Sequence, residues 1–515
     1  MRFLIFCFLL APWNTVLFSQ TTWSEHIAPI MYQHCTSCHR DGGIAPFSLM
    51  TYPEASVAAF AVADAVTDGV MPPWPPDTTY RRFSHERVLN ADEIDLIVAW
   101  LAESTPEGDP ALAPPPPVYS DDGFISLPPD LEIVMPVHTS QATMMSDDYS
   151  CFAIPSGLLQ DKKIRAFELV PGNPAIVHHA LVFIDSDASY PTNTSGNCMG
   201  PQDGLIGGYT PGAVPTVFPS DGEDFNLGVN LPSGSNVVLA MHYPHGSQGQ
   251  TDQSKLRLWF YPDELPIREV TTTAVLQNWS FTLPPDQMTT VTAQFSTIPF
   301  DISLLSVFPH MHMLGKSIES YATTPTNLTI PLIRINHWDF HWQQFYAFEQ
   351  LVRIPAWSTL YGEGMYDNTV NNPHNPNNPP ITVGPGLNTS DEMFLIYFQF
   401  LPYQQGDELI DLEPLTQMPV VTSVPDIAAD TPLRLFPNPS LNFVNLEFDV
   451  QKSEMVSVYL YDIQGRLIDR VLERQILPEG VHQITYSIGS EITPGMYVFS
   501  VNCGGVMSSA RLVVQ

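Results

Sequence analysis

Positive charge is what this sequence most lacks. Its 515 residues hold 20 Lys and Arg against 54 Asp and Glu, a formal charge of −34. Such a surface repels phosphate backbones and anionic lipid, which excludes nucleic acid as a partner. Long apolar runs are scarce too. Phe3 to Leu10 follows Arg2 and precedes small Ser19, the pattern of a secretory signal over residues 1–20 with a cut near Gln20. That run is too short to span a bilayer and no later one is long enough, so no transmembrane segment is expected. The mature chain is expected to be exported, with 54 acids against 19 bases once Arg2 has gone.

Cysteine is rare, with six in the chain. Cys7 leaves with the signal, and Cys35 and Cys38 lie in Cys35-Thr36-Ser37-Cys38-His39. Cys151 and Cys198 remain as candidates for a disulfide, which an oxidising compartment permits. Cys503 is left over and expected as a buried free thiol near the C-terminus.

Proline is abundant instead, and 50 of them argue for β-rich, loop-rich domains. The length is too great for one core. Residues 21–104 carry helical signals, including Tyr52 to Val70 and a run to Leu101 opened by Asn90-Ala91-Asp92-Glu93. Residues 105–130 read as a stiff spacer around Pro114 to Pro117. From Leu131 to about 402, short Val-, Phe-, Tyr- and Thr-rich runs divided by Pro, Gly and Asn predict β-sandwiches. A second connector covers 403–432, and 433–515 reads as one small β-sandwich. The expected fold class is a mainly β, multidomain chain with one small α-helical domain.

Cys35-x-x-Cys38-His39 in an exported chain predicts a covalently attached c-type haem. Two thiols add across the porphyrin vinyl groups and the histidine ligates iron. Met71, in Val70-Met71-Pro72-Pro73-Trp74, is the expected sixth ligand, with Met31, Met50, His34 and His85 as rivals. A thiol-redox or zinc pair is the alternative reading. Residues 23–104 resemble the cytochrome c domains at the N-terminus of certain bacterial multidomain oxidoreductases.

In Val307-Phe308-Pro309-His310-Met311-His312-Met313-Leu314-Gly315, His310 and His312 share one face of an extended strand. His178 and His179 are adjacent, so a regular strand would part them. They can reach one metal only through a distorted backbone or different ring nitrogens. His242, in Val238-Leu239-Ala240-Met241-His242, supplies a third imidazole if its strand lies alongside. Met393 follows Ser390-Asp391-Glu392 and would complete a second set with His310 and His312. A thioether suits Cu(I) and is rarely taken by zinc, calcium or iron(II), so a three-histidine and a His-His-Met centre predict two copper ions.

Tyr149-Ser150-Cys151-Phe152, Val177-His178-His179-Ala180, Leu239-Ala240-Met241-His242-Tyr243, His310-Met311-His312-Met313-Leu314-Gly315 and Thr389-Ser390-Asp391-Glu392-Met393 occur in the order seen in the copper type II, ascorbate-dependent monooxygenases. Residues 131–402 resemble that family, which includes peptidylglycine α-hydroxylating and dopamine β-monooxygenases. The resemblance implies two tandem jelly-roll-like sandwiches, 131–263 and 264–402, each with one copper, facing across a solvent-filled cleft. It assigns the electron-transfer copper to His178, His179 and His242. It assigns the dioxygen-binding, hydroxylating copper to His310, His312 and Met393, and it pairs Cys151 with Cys198. Tyr397 is kept at a substrate contact. Phe308 stands where peptide-hydroxylating members carry a carboxylate-gripping arginine, Leu395 replaces an expected asparagine, and Ala240 a glutamine. A small apolar substrate without a free carboxylate is therefore favoured.

Of the other histidines, His245 is expected in a surface turn, His337 and His341 in packing, and His138 and His374 in solvated loops. Leu435-Phe436-Pro437-Asn438-Pro439-Ser440, Tyr461-Asp462-Ile463-Gln464-Gly465-Arg466 and Pro494-Gly495-Met496-Tyr497-Val498 resemble the sorting domain of type IX secretion substrates. That implies export through the periplasm of a Gram-negative cell to its surface or beyond. The expected function is a secreted copper monooxygenase using O2, with an external electron donor acting through the haem. The alternative is an extracellular electron-transfer or copper-binding protein without a hydroxylated substrate.

Overall fold

In the computed structural model the chain divides into two units, 1–418 and 419–515. It describes residues 20–515 except 42, 118, 120–122, 126, 145, 202, 213, 341, 417, 419–432, 441, 451, 463–466, 490–491, 493–494, 504–505 and 515. The expected signal with Cys7, His341, the 419–432 part of the second connector and the side chain of Cys503 fall outside the described residues. The fold is mainly β, as expected.

The first unit opens with a helical module: a wide helical turn Trp23–Ile27, then α1 (Ala28–His34), α2 (Tyr52–Thr67) and α3 (Ala91–Ala102). Capping boxes start both longer helices. Thr51 with Glu54 and Asn90 with Glu93 exchange side-chain and backbone bonds, satisfying N–H groups that a helix start leaves open. Small Ala55, Ala59 and Ala63 let α2 approach its neighbours, while Trp100 of α3 packs 6.1 Å from Trp23. The chain then folds back. Trp100 Nε1 and Trp23 N both donate to Pro106 O, at 3.0 and 2.9 Å. The first residues of the expected spacer thus pack on this module.

Residues 71–87 leave the module as a strap. Pro76 bridges Ile335 and Phe83 bridges Phe348 on the edges of the second sandwich. The Phe83 ring stacks on Phe348 at 5.4 Å and is 3% exposed. Burying a phenyl so fully stabilises the contact by about 2–3 kcal/mol. Ser84 N donates to Ala347 O at 2.8 Å, and the Arg334 guanidinium lies 3.9 Å above the Tyr80 ring. The helical module is therefore held on the second sandwich by hydrogen bonds and buried rings.

The first sandwich pairs a sheet built around Lys162–Val170 and Lys255–Phe260 with one ordered Asn193–Gly196, Asp148–Pro155, Asn236–Tyr243, His179–Asp185, Leu205–Tyr209. The second has sheets ordered Thr271–Gln277, Leu395–Pro402, Ile302–His310, Tyr346–Ile354 and Gln287–Phe295, Thr359–Asn368, Gly315–Thr323, Thr329–Ile335. Strand Thr359–Asn368 alternates buried and open residues, as a sheet with one wet face should. Ile302–His310 is buried on both faces. One face meets its own sandwich, while Leu305, with Leu351 and Leu401 of the flanking strands, enters the core of the first sandwich. This shared apolar face fixes the two sandwiches against each other. Residues 403–416 add to it: Arg268 grips Asp407 at 2.7 and 2.8 Å, and Leu412 is fully buried.

The second unit is a sandwich of a three-stranded sheet around Phe443–Val450 and a four-stranded sheet around Glu454–Asp462 and Gly495–Cys503. Its core holds Val444, Leu446, Leu460, Phe499 and Leu512.

Candidate functional site

Antiparallel pairing places His242 opposite His179 on one side and Tyr149 on the other. The strand His179–Asp185 begins at His179, so His178 lies just outside the pleat and is freed from pointing to the opposite face. Its N–H donates to His242 O at 3.0 Å. His178 Nδ1 then lies 3.2 Å, and His242 Nδ1 3.1 Å, from His179 Nδ1. Three ring nitrogens this close repel unless a cation or protons lie among them. The far edge of His242 faces acid: Nε2 lies 3.3 Å from Asp147 Oδ2, an ion-pair distance without hydrogen-bond alignment, and is buried. A carboxylate behind a histidine that presents its other nitrogen is the usual arrangement around a ligated metal.

His310 ends its strand opposite Leu395, and His312 follows in the turn, with the two rings 5.1 Å apart. Gln343 Nε2 donates to Phe340 O at 2.7 Å, so its Oε1 accepts from His310 Nδ1 at 2.7 Å. His312 Nδ1 donates to Asp391 O at 3.1 Å. Both bonds put the proton on Nδ1 and leave Nε2 as the free acceptor. Met393, 4% exposed, lines the same cavity.

Burial, and then the neighbouring imidazole of His312, push His310 down to about 3, and burial pushes His312 down to about 4. Burial likewise holds His179 and His242 below the usual histidine range. All four are neutral near pH 7, with lone pairs available. Asp147 behaves oppositely. Burial pushes it up, but the close His242 ring and the hydrogen bonds from Thr389 outweigh this and hold it well below the usual carboxylate range.

His178 and His179 of the first set and His310, His312 and Met393 of the second line one cavity of about 460 Å³. The resemblance implied centres facing across a solvent-filled cleft, but the rings of His179 and His310 stand only 6.5 Å apart. Phe340 lies 5.2 Å from His178 and 5.9 Å from His312. The cause is the shared face around Leu305 and Leu401, which brings the sandwiches together. Phe308, Phe345 and Tyr397 form an apolar wall beside His310, the rings of Phe308 and Phe345 stacking at 4.8 Å. The helical module's strap adds Trp74, His85 and Arg87 to the lining. Ala240 also lines the cavity.

Two carboxylates escaped the sequence reading. Glu392 is fully buried, and its oxygens accept from His312 N at 2.9 Å, Leu314 N at 2.6 Å and Met393 N at 3.2 Å. It staples the His310–His312 turn to the Met393 loop. Burial pushes it up to about 8 although three N–H donors favour the anion. Asp147 joins the two sandwiches by accepting from Thr389 N at 3.1 Å and from Thr389 Oγ1. Glu392 lies inside a quoted motif and Asp147 two residues before another, but only the fold shows what each holds.

Cys151 and Cys198 are disulfide-bonded. Cys35 and Cys38 are unpaired, and burial, with Cys38 adding, pushes the Cys35 thiol up to about 12. His39 Nδ1 contacts Phe47 O at 3.1 Å, which leaves Nε2 free. Ile44 and Phe47, in the loop after it, are 54% and 42% exposed. Met71 is 40% exposed at the start of the strap, and Met31 is fully buried in the helical core. His34 Nε2 lies 3.3 Å from Glu93, His85 Nε2 2.6 Å from Thr416 Oγ1, and Met50 O accepts from Tyr32. His245 and His374 are exposed, as expected of turns and loops. His138 is not solvated: it lies in a short strand, His138–Thr139, paired with Thr251–Asp252, and is buried 2.7 Å from Asp148 and stacked on Tyr243. His337, expected in packing, is exposed.

Residues 275–413 match the family model of the copper type II ascorbate-dependent monooxygenase C-terminal domain. Residues 434–515 match that of the secretion system C-terminal sorting domain. No curated protein matches. Among solved structures, a β-glucuronidase of Parabacteroides merdae is 9% identical, with 44% of this chain and 28% of that one covered and a TM-score of 0.14. The VP2 subviral particle of infectious bursal disease virus is 11% identical, covering 56% and 76%, with a TM-score of 0.16. Dimeric latent PorU of Porphyromonas gingivalis is 12% identical, covering 72% and 34%, with a TM-score of 0.14. None of these superpositions amounts to a shared fold. No described helix is long and apolar enough to cross a membrane. The chain thus joins a segment similar to the C-terminal domain of the copper type II, ascorbate-dependent monooxygenases to a sorting domain that marks it for export.

Proposed function

We infer that this is a secreted copper monooxygenase that uses O2 to hydroxylate a C–H bond of a small apolar substrate, fed with electrons through a c-type haem. The observation that supports it most is one cavity lined by the imidazoles of His178, His179, His310 and His312 and the thioether of Met393, with buried His242 completing the first set behind it. His178, His179 and His242 would hold one copper by their clustered Nδ1 atoms. His310, His312 and Met393 would hold the other by Nε2 and sulfur. Bound copper supplies one-electron redox chemistry and dioxygen activation that no side chain can.

The protein's own part is placement and dryness. Gln343, Asp391 O and Asp147 fix the imidazoles. Glu392 sets the spacing of the turn and Met393. Phe308, Phe345 and Tyr397 would seat an apolar substrate beside His310 and exclude water. With Phe308 where an arginine would grip a carboxylate, a peptide C-terminus is not the expected ligand. Cys35, Cys38 and His39 would hold the haem: two free thiols, a histidine whose proton is fixed on Nδ1 and an open apolar loop fit it, with Met71 as the assigned sixth ligand. The haem supplies one-electron storage. The sorting domain assigns the chain to the type IX machinery of a Gram-negative envelope.

Oxygen uptake by copper-loaded, ascorbate-reduced protein tests this reading. A matching substrate should raise uptake and yield product carrying one labelled atom from ¹⁸O₂. Uptake that no apolar substrate alters, with no labelled product, would favour an extracellular electron-transfer or copper-holding protein, the reading that Phe308 keeps open.

A further inference from the structure

The helical module and the His310 centre meet at an aromatic residue outside the cavity lining. A β-carbon built on Gly212 would lie 3.5 Å from Cys38 Sγ and 3.1 Å from the Trp342 ring, so sulfur and indole face each other across one glycine. Gly212 sits at φ +79°, where a side chain is both strained and in the way. The strap closes the same junction. The Arg87 guanidinium lies 5.2 Å over the Trp342 ring and its Nη2 donates to Gly212 O at 3.0 Å. The next residue, Gln343, accepts from His310 Nδ1 at 2.7 Å. One through-space step, an indole, a peptide, an amide and a hydrogen bond therefore join the Cys38 sulfur to a metal-facing imidazole.

We propose that Trp342 and Gln343 carry electrons from the group held at Cys35, Cys38 and His39 directly to the His310/His312/Met393 centre. The proposal rests on the haem and copper assignments above. Each event moves one electron: ferrous haem is oxidised to ferric, cupric copper is reduced to cuprous, and no proton moves. An external one-electron donor, ascorbate-like or a redox protein, restores the ferrous haem. Trp342 acts as a tunnelling bridge and is not itself oxidised. The guanidinium over its face disfavours an indole cation, and its buried Nε1 has no partner among the described residues to take a proton. Toward the three-histidine centre, Phe340 stacks on the His178 ring at 5.2 Å.

The test uses full-length protein loaded with haem and copper. The haem is reduced by a flash-generated one-electron donor without O2. Its reoxidation is followed by absorbance, and the cupric signals by electron paramagnetic resonance. The wild type should show a fast reoxidation phase that is independent of protein concentration and matched by loss of cupric signal. Trp342→Leu should lose that phase, and Trp342→Phe, the milder change for folding, should slow it, both at unchanged haem and copper content. A phase that survives Trp342→Leu, or one whose rate follows protein concentration, overturns the path. Absence of a haemochrome spectrum from the wild type overturns instead the haem assignment on which it rests.

Discussion

Glu392→Gln isolates the part of the site that is built from backbone. The carboxylate accepts three N–H bonds, from His312, Leu314 and Met393, in a fully buried position. An amide keeps one acceptor oxygen and turns the other end into a donor facing an N–H. The best orientation keeps His312 and Met393 bonded and leaves Leu314 N facing an NH2 group. Losing one buried bond, which leaves Leu314 N unsatisfied, and weakening two should cost about 2–4 kcal/mol. Relief of the burial that pushes Glu392 up to about 8 offsets a part of this. For a sandwich pair of this size such a loss lowers Tm by roughly 5–10 °C. Copper should respond unevenly, because Glu392 touches the His312 and Met393 backbones and none of the three-histidine set. Calorimetry with copper titration checks both. A variant that melts like the wild type and still binds copper at both centres with unchanged affinity would refute the staple.

Four other outcomes follow. Met393→Ile should abolish hydroxylation and remove the sulfur ligand while leaving the fold intact, checked by turnover and circular dichroism. Thr389→Val removes a hydroxyl bonded to Asp147 and should destabilise the first unit by about 1–2 kcal/mol in denaturant melts. Phe83→Ala should cost about 3–5 kcal/mol of strap packing and expose residues 71–87 to protease. Metal-free protein should lose stability as pH falls from about 6.5 towards 4. His310 and His312, pushed down to about 3 and 4, stay neutral when folded while the unfolded chain takes up protons. Each contributes about 1.4 kcal/mol per pH unit over that window, and Glu392, pushed up to about 8, opposes part of it. A flat stability profile between pH 7 and 5 would contradict those directions.

What the sequence made legible was local. His310 and His312 two apart, a cap at Asn90, and alternating runs from Leu131 onward are patterns read within a few residues. The rest depended on partners far along the chain. Phe83 meets Phe348, Asp147 meets Thr389, and Cys38 meets Gly212, pairs that no periodicity announces. His138 misled because its Pro-rich surroundings suggested solvent, whereas Asp148 and Tyr243 bury it. The closeness of the two centres is likewise long-range: Leu305 and Leu401 of the second sandwich enter the core of the first.

X-ray absorption at the copper edge of the ascorbate-reduced, exported protein tests the central claim most directly. The account predicts two coppers per chain and a sulfur scatterer that disappears in Met393→Ile while the nitrogen shell remains. A chain purified from copper-replete cells without copper, or a sulfur signal that persists in that variant, would contradict it.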